Sequence, residues 1–273
     1  MSPALARAAL KQFTLTVENK TIEIGDGMTY GAWTYDGAAP GPVLRVRQGD
    51  TVRIHLINKT SIAHGIDTHA AQIAPSHFDQ PDDKKEFTYT FRAETPGVFM
   101  YHCSASPMLV HIANGMYGMM IVEPAGGWPD GKAHEVTLIQ SEYYGVPDAK
   151  GFIAGDSVKM MKATPDFVVF NGQLERYVEH PIQIKVGELV RVFFVDAGPN
   201  LTSTFHVIGA IFSTVYRGGN PANPLHGLAT FEIGPGDGAM LEFRVTQPGD
   251  YMFIDHAMAR AYAGAMGIFR AVK

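Results

Sequence analysis

Residues 91–101 read FRAETPGVFMY, and residues 243–253 read FRVTQPGDYMF. A second pair of segments follows in the same order, since GMYGMMIV at 115–122 corresponds to GAMGIFRA at 264–271. The first half of the chain therefore repeats in the second half. The segment at 43–58 alternates apolar and polar residues as a half-buried strand does, and a similar alternation returns at 182–195. A repeat of this length indicates duplication of a whole domain rather than a solenoid.

Turn-forming residues separate the repeated segments, with 29 glycines and 17 prolines in the chain. Short alternating runs between turn signals predict an all-β fold of two tandem Greek-key β-sandwiches with little helix. Helix is expected only as a turn at 109–115 and another near 257–263. The turn-rich stretch at 124–129 lacks any periodic pattern, so we place one domain at 1–126 and the other at 127–273.

Composition limits the possible functions. The chain has 273 residues, 46% hydrophobic and 18% charged, which suits two globular domains. The sequence contains no run of 18 apolar residues, so no transmembrane helix is expected. The net charge of −5 argues against a nucleic-acid partner. The single cysteine excludes an intrachain disulfide, and the first ten residues lack the pattern of a signal peptide, so composition alone leaves the compartment open.

Four side chains predict a metal centre. Cys103, His111 and Met116 fall within fourteen residues, and His64 lies upstream in a different strand region. Two imidazoles, one thiolate and one weak thioether form the ligand set of an electron-transfer copper site. Soft sulfur ligands suit Cu(I) and imidazoles suit Cu(II), so this combination favours rapid electron exchange.

The remaining histidines indicate a second metal. His102 precedes the cysteine and points the opposite way in an extended strand. His64 and His69 are five residues apart, an odd spacing that turns them to opposite faces, and Asp67 shares the face of His69. His256 follows the strand that matches the one leading to the cysteine. Three imidazoles with one open position form a catalytic site for water or a small anion.

The repeat fails at the copper ligands. The position that matches Cys103 is Asp255, and the position that matches Met116 is Ala265. The second half therefore cannot bind the same copper, and we expect it to perform a different task.

Over essentially its whole length the chain resembles the two-domain copper-containing nitrite reductases. The segments that carry the resemblance are 63–71, 101–103, 111–118, 198–200, 203–209 and 255–256. Several such segments in the same order make the resemblance specific.

The resemblance implies cupredoxin-like domains, a homotrimer and two copper ions per subunit. It assigns the type 1 copper to His64, Cys103, His111 and Met116. It assigns the type 2 copper to His69 and His102 of one chain and to His256 of a neighbouring chain. Asp67 and His206 match the catalytic acid pair, and Ile208 matches the residue that crowds the substrate pocket.

The implied reaction is the reduction of nitrite to nitric oxide in denitrification. One electron would come from a small redox protein, a cytochrome c or a cupredoxin, and pass from the type 1 copper to nitrite at the type 2 copper. The resemblance also implies a periplasmic location. Thr68 stands where relatives often carry an aromatic residue, and the segment 72–83, which includes His77, differs from the glycine-rich stretch common there, so packing beneath the copper and substrate access are expected to differ.

Two other functions fit part of the pattern. A laccase-like two-domain multicopper oxidase would need paired His-x-His motifs to assemble three coppers, and the sequence contains none. A non-catalytic cupredoxin electron carrier would leave His69, His102, His206 and His256 without a role. Zinc at the three-histidine site would give an inactive homologue.

Overall fold

The computed structural model describes residues 8–78 and 85–273. Strands predominate in this part of the chain, and the helices are short. The first half contains eight strands, one helix and a 3-10 turn: β1 (Leu10–Gly25), β2 (Met28–Tyr35), β3 (Leu44–Arg47), β4 (Thr51–Asn58), β5 (Asp67–Thr68), the turn Pro75–His77, β6 (Glu86–Arg92), β7 (Gly97–His102), α1 (Met108–Ala113) and β8 (Tyr117–Glu123).

The second half adds twelve strands and three helices: β9 (His134–Tyr143), β10 (Phe152–Ile153), α2 (Ser157–Met161), β11 (Phe167–Phe170), α3 (Arg176–Glu179), β12 (Ile182–Lys185), β13 (Val190–Gly198), β14 (Ser203–Val207), β15 (Phe212–Arg217), β16 (Pro224–Leu228), β17 (Thr230–Ile233), β18 (Gly238–Phe243), β19 (Gly249–Asp255), α4 (Met258–Tyr262) and β20 (Met266–Val272). The predicted all-β class is confirmed. Helices α1 and α4 lie where helical turns were expected. Helices α2 and α3 were not predicted, because four or five residues are too few to show a helical period.

The strands form four sheets in two sandwiches. The first sandwich pairs the sheet β10-β2-β1-β4-β6 with the sheet β3-β8-β7-β5. The second pairs β11-β9-β13-β18-β15-β16 with β12-β20-β19-β14-β17. Apolar side chains from both sheets of each sandwich fill a core between them. Strand β10 belongs to the second half by sequence and extends the first sandwich by pairing with β2.

The repeat recurs as strand register. Tyr101 pairs with Gly118 between β7 and β8, and Phe253 pairs with Gly267 between β19 and β20. These are the same positions of the repeated sequences. The two halves therefore share backbone pairing as well as sequence pattern.

Strand β7 lies between two apolar layers. Tyr101 and Cys103 face the core of the first sandwich. Val98 and Met100 belong to a separate cluster that joins β7 and β8 to strands of the second sandwich. Because side chains alternate along a strand, His102 shares the face of Met100, which directs it toward the junction of the two sandwiches.

Candidate metal centres

A compact donor set lies at the end of β7. Cys103 Sγ is 3.2 Å from His111 Nδ1 and 3.7 Å from His64 Nδ1, and the two nitrogens are 3.2 Å apart. A triangle with these sides has its centre roughly 2 Å from each corner, which is close to a metal–imidazole bond length. All three residues are buried. The residues thus fit a metal ion bound by two nitrogens and one sulfur.

Backbone contacts hold these donors in place. The Cys103 N–H donates to the Met116 carbonyl (3.1 Å), and the Met116 N–H donates to the His111 carbonyl (3.2 Å), which closes the loop around α1. The Gly65 N–H donates to Cys103 Sγ at 3.4 Å. Met116 is fully buried and belongs to the same core cluster as Cys103.

Burial sets the protonation of this group. Burial lowers the pKa of His64 to about 4, with a smaller effect from His111, and it also lowers the pKa of His111. Both imidazoles are therefore neutral near pH 7, the form that binds metal. Burial raises the pKa of the Cys103 thiol, which favours the protonated form, and a coordinated metal ion would favour the thiolate instead.

Trp33 is part of this site and was not recognised from the sequence. Its ring meets His111 edge-on at a centroid distance of 4.8 Å and His64 at 5.7 Å. It comes from β2 in the opposite sheet, so neither its spacing nor its neighbours along the chain indicate the contact. The indole therefore packs against both imidazole rings.

A second group contains Asp67, His69 and His102. Nε2 of His102 is 3.1 Å from Nε2 of His69. Nδ1 of His69 donates to the Gly236 carbonyl (2.9 Å), and Nδ1 of His102 donates to the Cys103 carbonyl (2.9 Å). With each Nδ1 carrying its proton, the two Nε2 lone pairs face each other.

This arrangement fits a metal ion. Two lone pairs at 3.1 Å repel unless a cation lies between them, and histidine ligands commonly donate their other N–H to a backbone carbonyl. Burial lowers the pKa of His102, which keeps the ring neutral. The two rings line a cleft of about 180 Å³ between the sandwiches, and Pro199 and Pro235 also line it.

Asp67 lies beside these histidines. Its Oδ2 is 3.8 Å from His102 Nε2, and its side chain is 30% exposed. Thr68, the next residue, turns inward and shares a hydrogen bond of 2.9 Å with the Tyr89 hydroxyl. The position that relatives often give to an aromatic residue is therefore filled here by a Thr–Tyr pair beneath the site.

The other predicted residues lie apart. His206 and His256 are neighbours, with ring centroids 5.2 Å apart, and Nδ1 of His206 donates to the Ala229 carbonyl (2.6 Å). Ile208 on the same edge is 48% exposed. In the described part of the chain, the group around His102 does not include His256. Within one chain, His206 and His256 therefore lie apart from the group around His102.

The segment 72–83 is only partly described. Pro75–His77 forms a 3-10 turn and His77 is exposed. His77 belongs to neither donor group. Residues 79–83 of the segment lie outside the described residues.

Models of the multicopper oxidase family match residues 16–127 and 153–272. A copper-containing nitrite reductase from Neisseria meningitidis serogroup A is 39% identical over 97% of this chain and 69% of its own length. A copper nitrite reductase structure from Nitrosomonas europaea is 40% identical, with a TM-score of 0.89 over 97% of this chain and 94% of that one. The chain belongs to the copper-containing nitrite reductase family. It is an oxidoreductase of that family with two cupredoxin-like domains, and copper is its metal.

A structure described as a multicopper oxidase is also similar, at 30% identity and a TM-score of 0.85 over 96% of this chain and 89% of that one. The fold is therefore shared with a multicopper oxidase. Among the described residues, no helix is long and apolar enough to cross a membrane.

Proposed function

We propose that this enzyme reduces nitrite to nitric oxide. One nitrite, two protons and one electron give one nitric oxide and one water, so one N–O bond breaks and nitrogen is reduced by one electron. A small redox protein, a cytochrome c or a cupredoxin, supplies the electron. The names of the relatives support nitrite as the substrate.

One observation carries the proposal. Two adjacent residues of one strand end, His102 and Cys103, belong to different donor groups. The Cys103 group contains soft sulfur and imidazole ligands, the set that suits electron transfer. The His102 group contains imidazoles, and a metal ion held by imidazoles with an open coordination position can bind a small anion. A single peptide bond therefore joins an electron-transfer site to a substrate site without a solvent gap.

Copper, when bound, would supply a one-electron couple at both sites and Lewis acidity at the second. We assign the type 1 site to His64, Cys103, His111 and Met116. We assign the type 2 site to His69 and His102, with His256 from a second copy of the chain. The proposed stoichiometry is one type 1 and one type 2 copper per subunit.

The separation of the histidines within one chain supports the assembly. His69 and His102 supply two imidazoles to one group, and His256 lies beside His206 outside that group. A homotrimer would join each edge to the complementary edge of the next copy. It would also cover the exposed side chain of Ile208, which we place at the substrate pocket.

The proton donors are Asp67 and His206. Asp67 lies 3.8 Å from His102 Nε2, close enough to act on a bound anion directly or through one water. The Nδ1 proton of His206 is held by the Ala229 carbonyl, so its Nε2 is free to exchange a proton. These two groups would supply the protons that water formation consumes.

The rival function is oxygen reduction at a three-copper cluster. It is supported by the multicopper oxidase models and by the similar fold. It would require paired His-x-His motifs, and the chain has none. We therefore favour nitrite as the substrate and, by analogy with the family, a periplasmic location.

Metal analysis and EPR of the copper-loaded protein test the proposal. We expect two coppers per chain, two distinct cupric signals, and a change in only one of them on titration with nitrite. A reduced dye should be reoxidised by nitrite with release of nitric oxide. A single type 1 signal without nitrite turnover would indicate an electron carrier, and rapid oxygen consumption would favour the oxidase.

A further inference from the structure

The end of β19 reproduces the backbone of the type 1 copper loop. The Asp255 N–H donates to the Ala265 carbonyl at 3.1 Å, the same distance as from Cys103 to Met116. The Ala265 N–H donates to the Arg260 carbonyl at 3.0 Å, as Met116 does to His111 at 3.2 Å. Arg260 therefore holds the place of His111, although the loop is three residues shorter.

The same correspondence extends to the remaining ligand. The Gly65 N–H donates to Cys103 Sγ at 3.4 Å, and the Thr204 N–H donates to Asp255 Oδ1 at 3.3 Å. Ser203, which precedes Thr204, thus holds the place of His64. The four copper ligands of the first domain correspond to Ser203, Asp255, Arg260 and Ala265 in the second.

An ion pair fills this former metal position. Arg260 Nε lies 2.8 Å from Asp255 Oδ2, and Arg260 Nη2 donates to Oδ1 at 3.2 Å. Asp255 is fully buried. Gln140 Nε2 donates to Oδ2 at 2.8 Å, so the carboxylate receives both charge and hydrogen bonds. A buried ion needs such a partner, because desolvation of an unpaired one costs several kcal/mol.

The carboxylate also holds the backbone on both sides of His256. The Ala257 N–H donates to Asp255 Oδ1 (3.0 Å) and to Thr204 Oγ1 (3.1 Å). Thr204 Oγ1–H donates to Asp255 Oδ1 at 2.6 Å, and the His256 N–H donates to the Thr204 carbonyl at 2.7 Å. The histidine is exposed, but its main chain is fixed by buried groups.

We propose that the Asp255–Arg260 ion pair closes this loop in place of a type 1 copper, and that it positions His256 as a type 2 copper ligand. In the first domain a metal would tie the end of β7 to α1. In the second, the ion pair ties the end of β19 to α4. This inference rests on the proposed function, because it takes His256 to be a copper ligand.

The test compares Arg260→Met and Arg260→Lys with the wild-type holoenzyme. Copper affinity of the type 2 site is measured by competition with a chelator, and the type 2 EPR signal and the type 1 absorption are recorded in parallel. Mutation of a residue that orients a metal ligand typically lowers metal affinity by 10- to 100-fold. We expect a loss of roughly that size in R260M with an altered type 2 signal and an unchanged type 1 band, and a smaller loss in R260K, which keeps the charge.

Arg191→Met is the matched control. Arg191 forms another buried ion pair of the second domain, with Nη2 2.6 Å from Glu242 Oε1. The Arg191→Met substitution should lower the melting temperature as R260M does and leave type 2 affinity unchanged.

Thr204→Val, which keeps the shape of the side chain, provides a variant that folds if R260M does not. It should lose roughly two- to tenfold in type 2 affinity, the value of one or two hydrogen bonds.

The outcomes are distinguishable. The positioning role is wrong, and the proposed function is untouched, if R260M binds type 2 copper within about twofold of wild type or if R191M loses as much affinity as R260M. The same conclusion follows if T204V, used in place of R260M, binds type 2 copper as tightly as wild type. If the wild-type protein itself binds no second copper, both the proposed function and this inference are overturned.

Discussion

Replacement of Asp67 by Asn tests the proton-delivery role most directly. Asparagine keeps the size and planar shape of the side chain, and it removes the exchangeable proton and the charge. Asp67 belongs to the His102 group and is absent from the buried group around Cys103. The substitution should therefore affect the substrate site and leave the type 1 site unchanged.

The expected magnitude follows from the geometry. A positioned general acid contributes about 10²- to 10⁴-fold to a rate. Asp67 Oδ2 lies 3.8 Å from His102 Nε2, beyond direct hydrogen-bond distance, and its side chain is 30% exposed. Solvent can then replace part of its action, which places the effect at the lower end. We expect kcat to fall about 100-fold, equivalent to about 2.7 kcal/mol in the activation free energy.

The assay is nitrite-dependent turnover normalised to type 2 copper content. Normalisation is needed because loss of a carboxylate near the metal also weakens cation binding. Asp250→Asn is the matched control, since Asp250 lies at the surface in an ion pair with Arg270 (2.8 Å) and exposed pairs contribute little. Full turnover per type 2 copper in D67N, or an equal loss in D250N, would refute the assigned role.

Three further predictions concern the other donors. His206→Ala should lower kcat by roughly 10²- to 10⁴-fold with the type 1 absorption retained; wild-type kcat in that variant would rule out His206 as a proton donor. Cys103→Ser should abolish the type 1 absorption and the entry of electrons from a protein donor while one copper per chain remains, as metal analysis will show; an intact type 1 band would contradict the assignment. Burial lowers the pKa of His64 in the folded chain to about 4, whereas the same side chain in the unfolded chain binds a proton near pH 6.5. The free energy of unfolding of the metal-free protein should therefore fall by up to about 3 kcal/mol as the pH falls from 6.5 to 4. Denaturant titrations of wild type and His64→Asn should show this extra pH dependence only in wild type, and parallel curves would contradict it.

The sequence predicted those features that depend on local periodicity. Alternation along one strand end placed Cys103 and His102 on opposite faces, and the structure assigns them to different donor groups. The odd spacing of His64 and His69 separated them in the same way. The repeated segments also predicted equivalent strands in the two halves. These signals are carried by neighbouring residues, so one sequence is enough to detect them.

Contacts between distant segments could not be predicted. Trp33 contacts His64 and His111 from another sheet, and the carbonyl that accepts a hydrogen bond from His69 belongs to Gly236, 167 residues away. Arg260 was not recognised as the counterpart of His111, because the shorter loop changes the spacing from the preceding strand. The pairing of β10 with the first sandwich likewise crosses the predicted boundary at 126/127, which stays a prediction.

The register of the repeat gives the proposed catalytic pair a physical basis. Asp67 pairs with His102 between β5 and β7, and His206 pairs with Ile254 between β14 and β19. Since β7 and β19 are equivalent strands, Asp67 and His206 hold the same position of the duplicated domain. Two residues further along, His69 of the first domain corresponds to Ile208 of the second. A contact between copies that joins β5 to β14 would thus bring together two equivalent strand edges. One edge carries the carboxylate of Asp67 and the proposed ligand His69, and the other carries the imidazole of His206 and the apolar side chain of Ile208. In the proposed enzyme, the duplication supplies two acids from one ancestral position, and a ligand and a pocket lining from a second position two residues further along. The second half then contributes to the substrate site without a type 1 copper of its own.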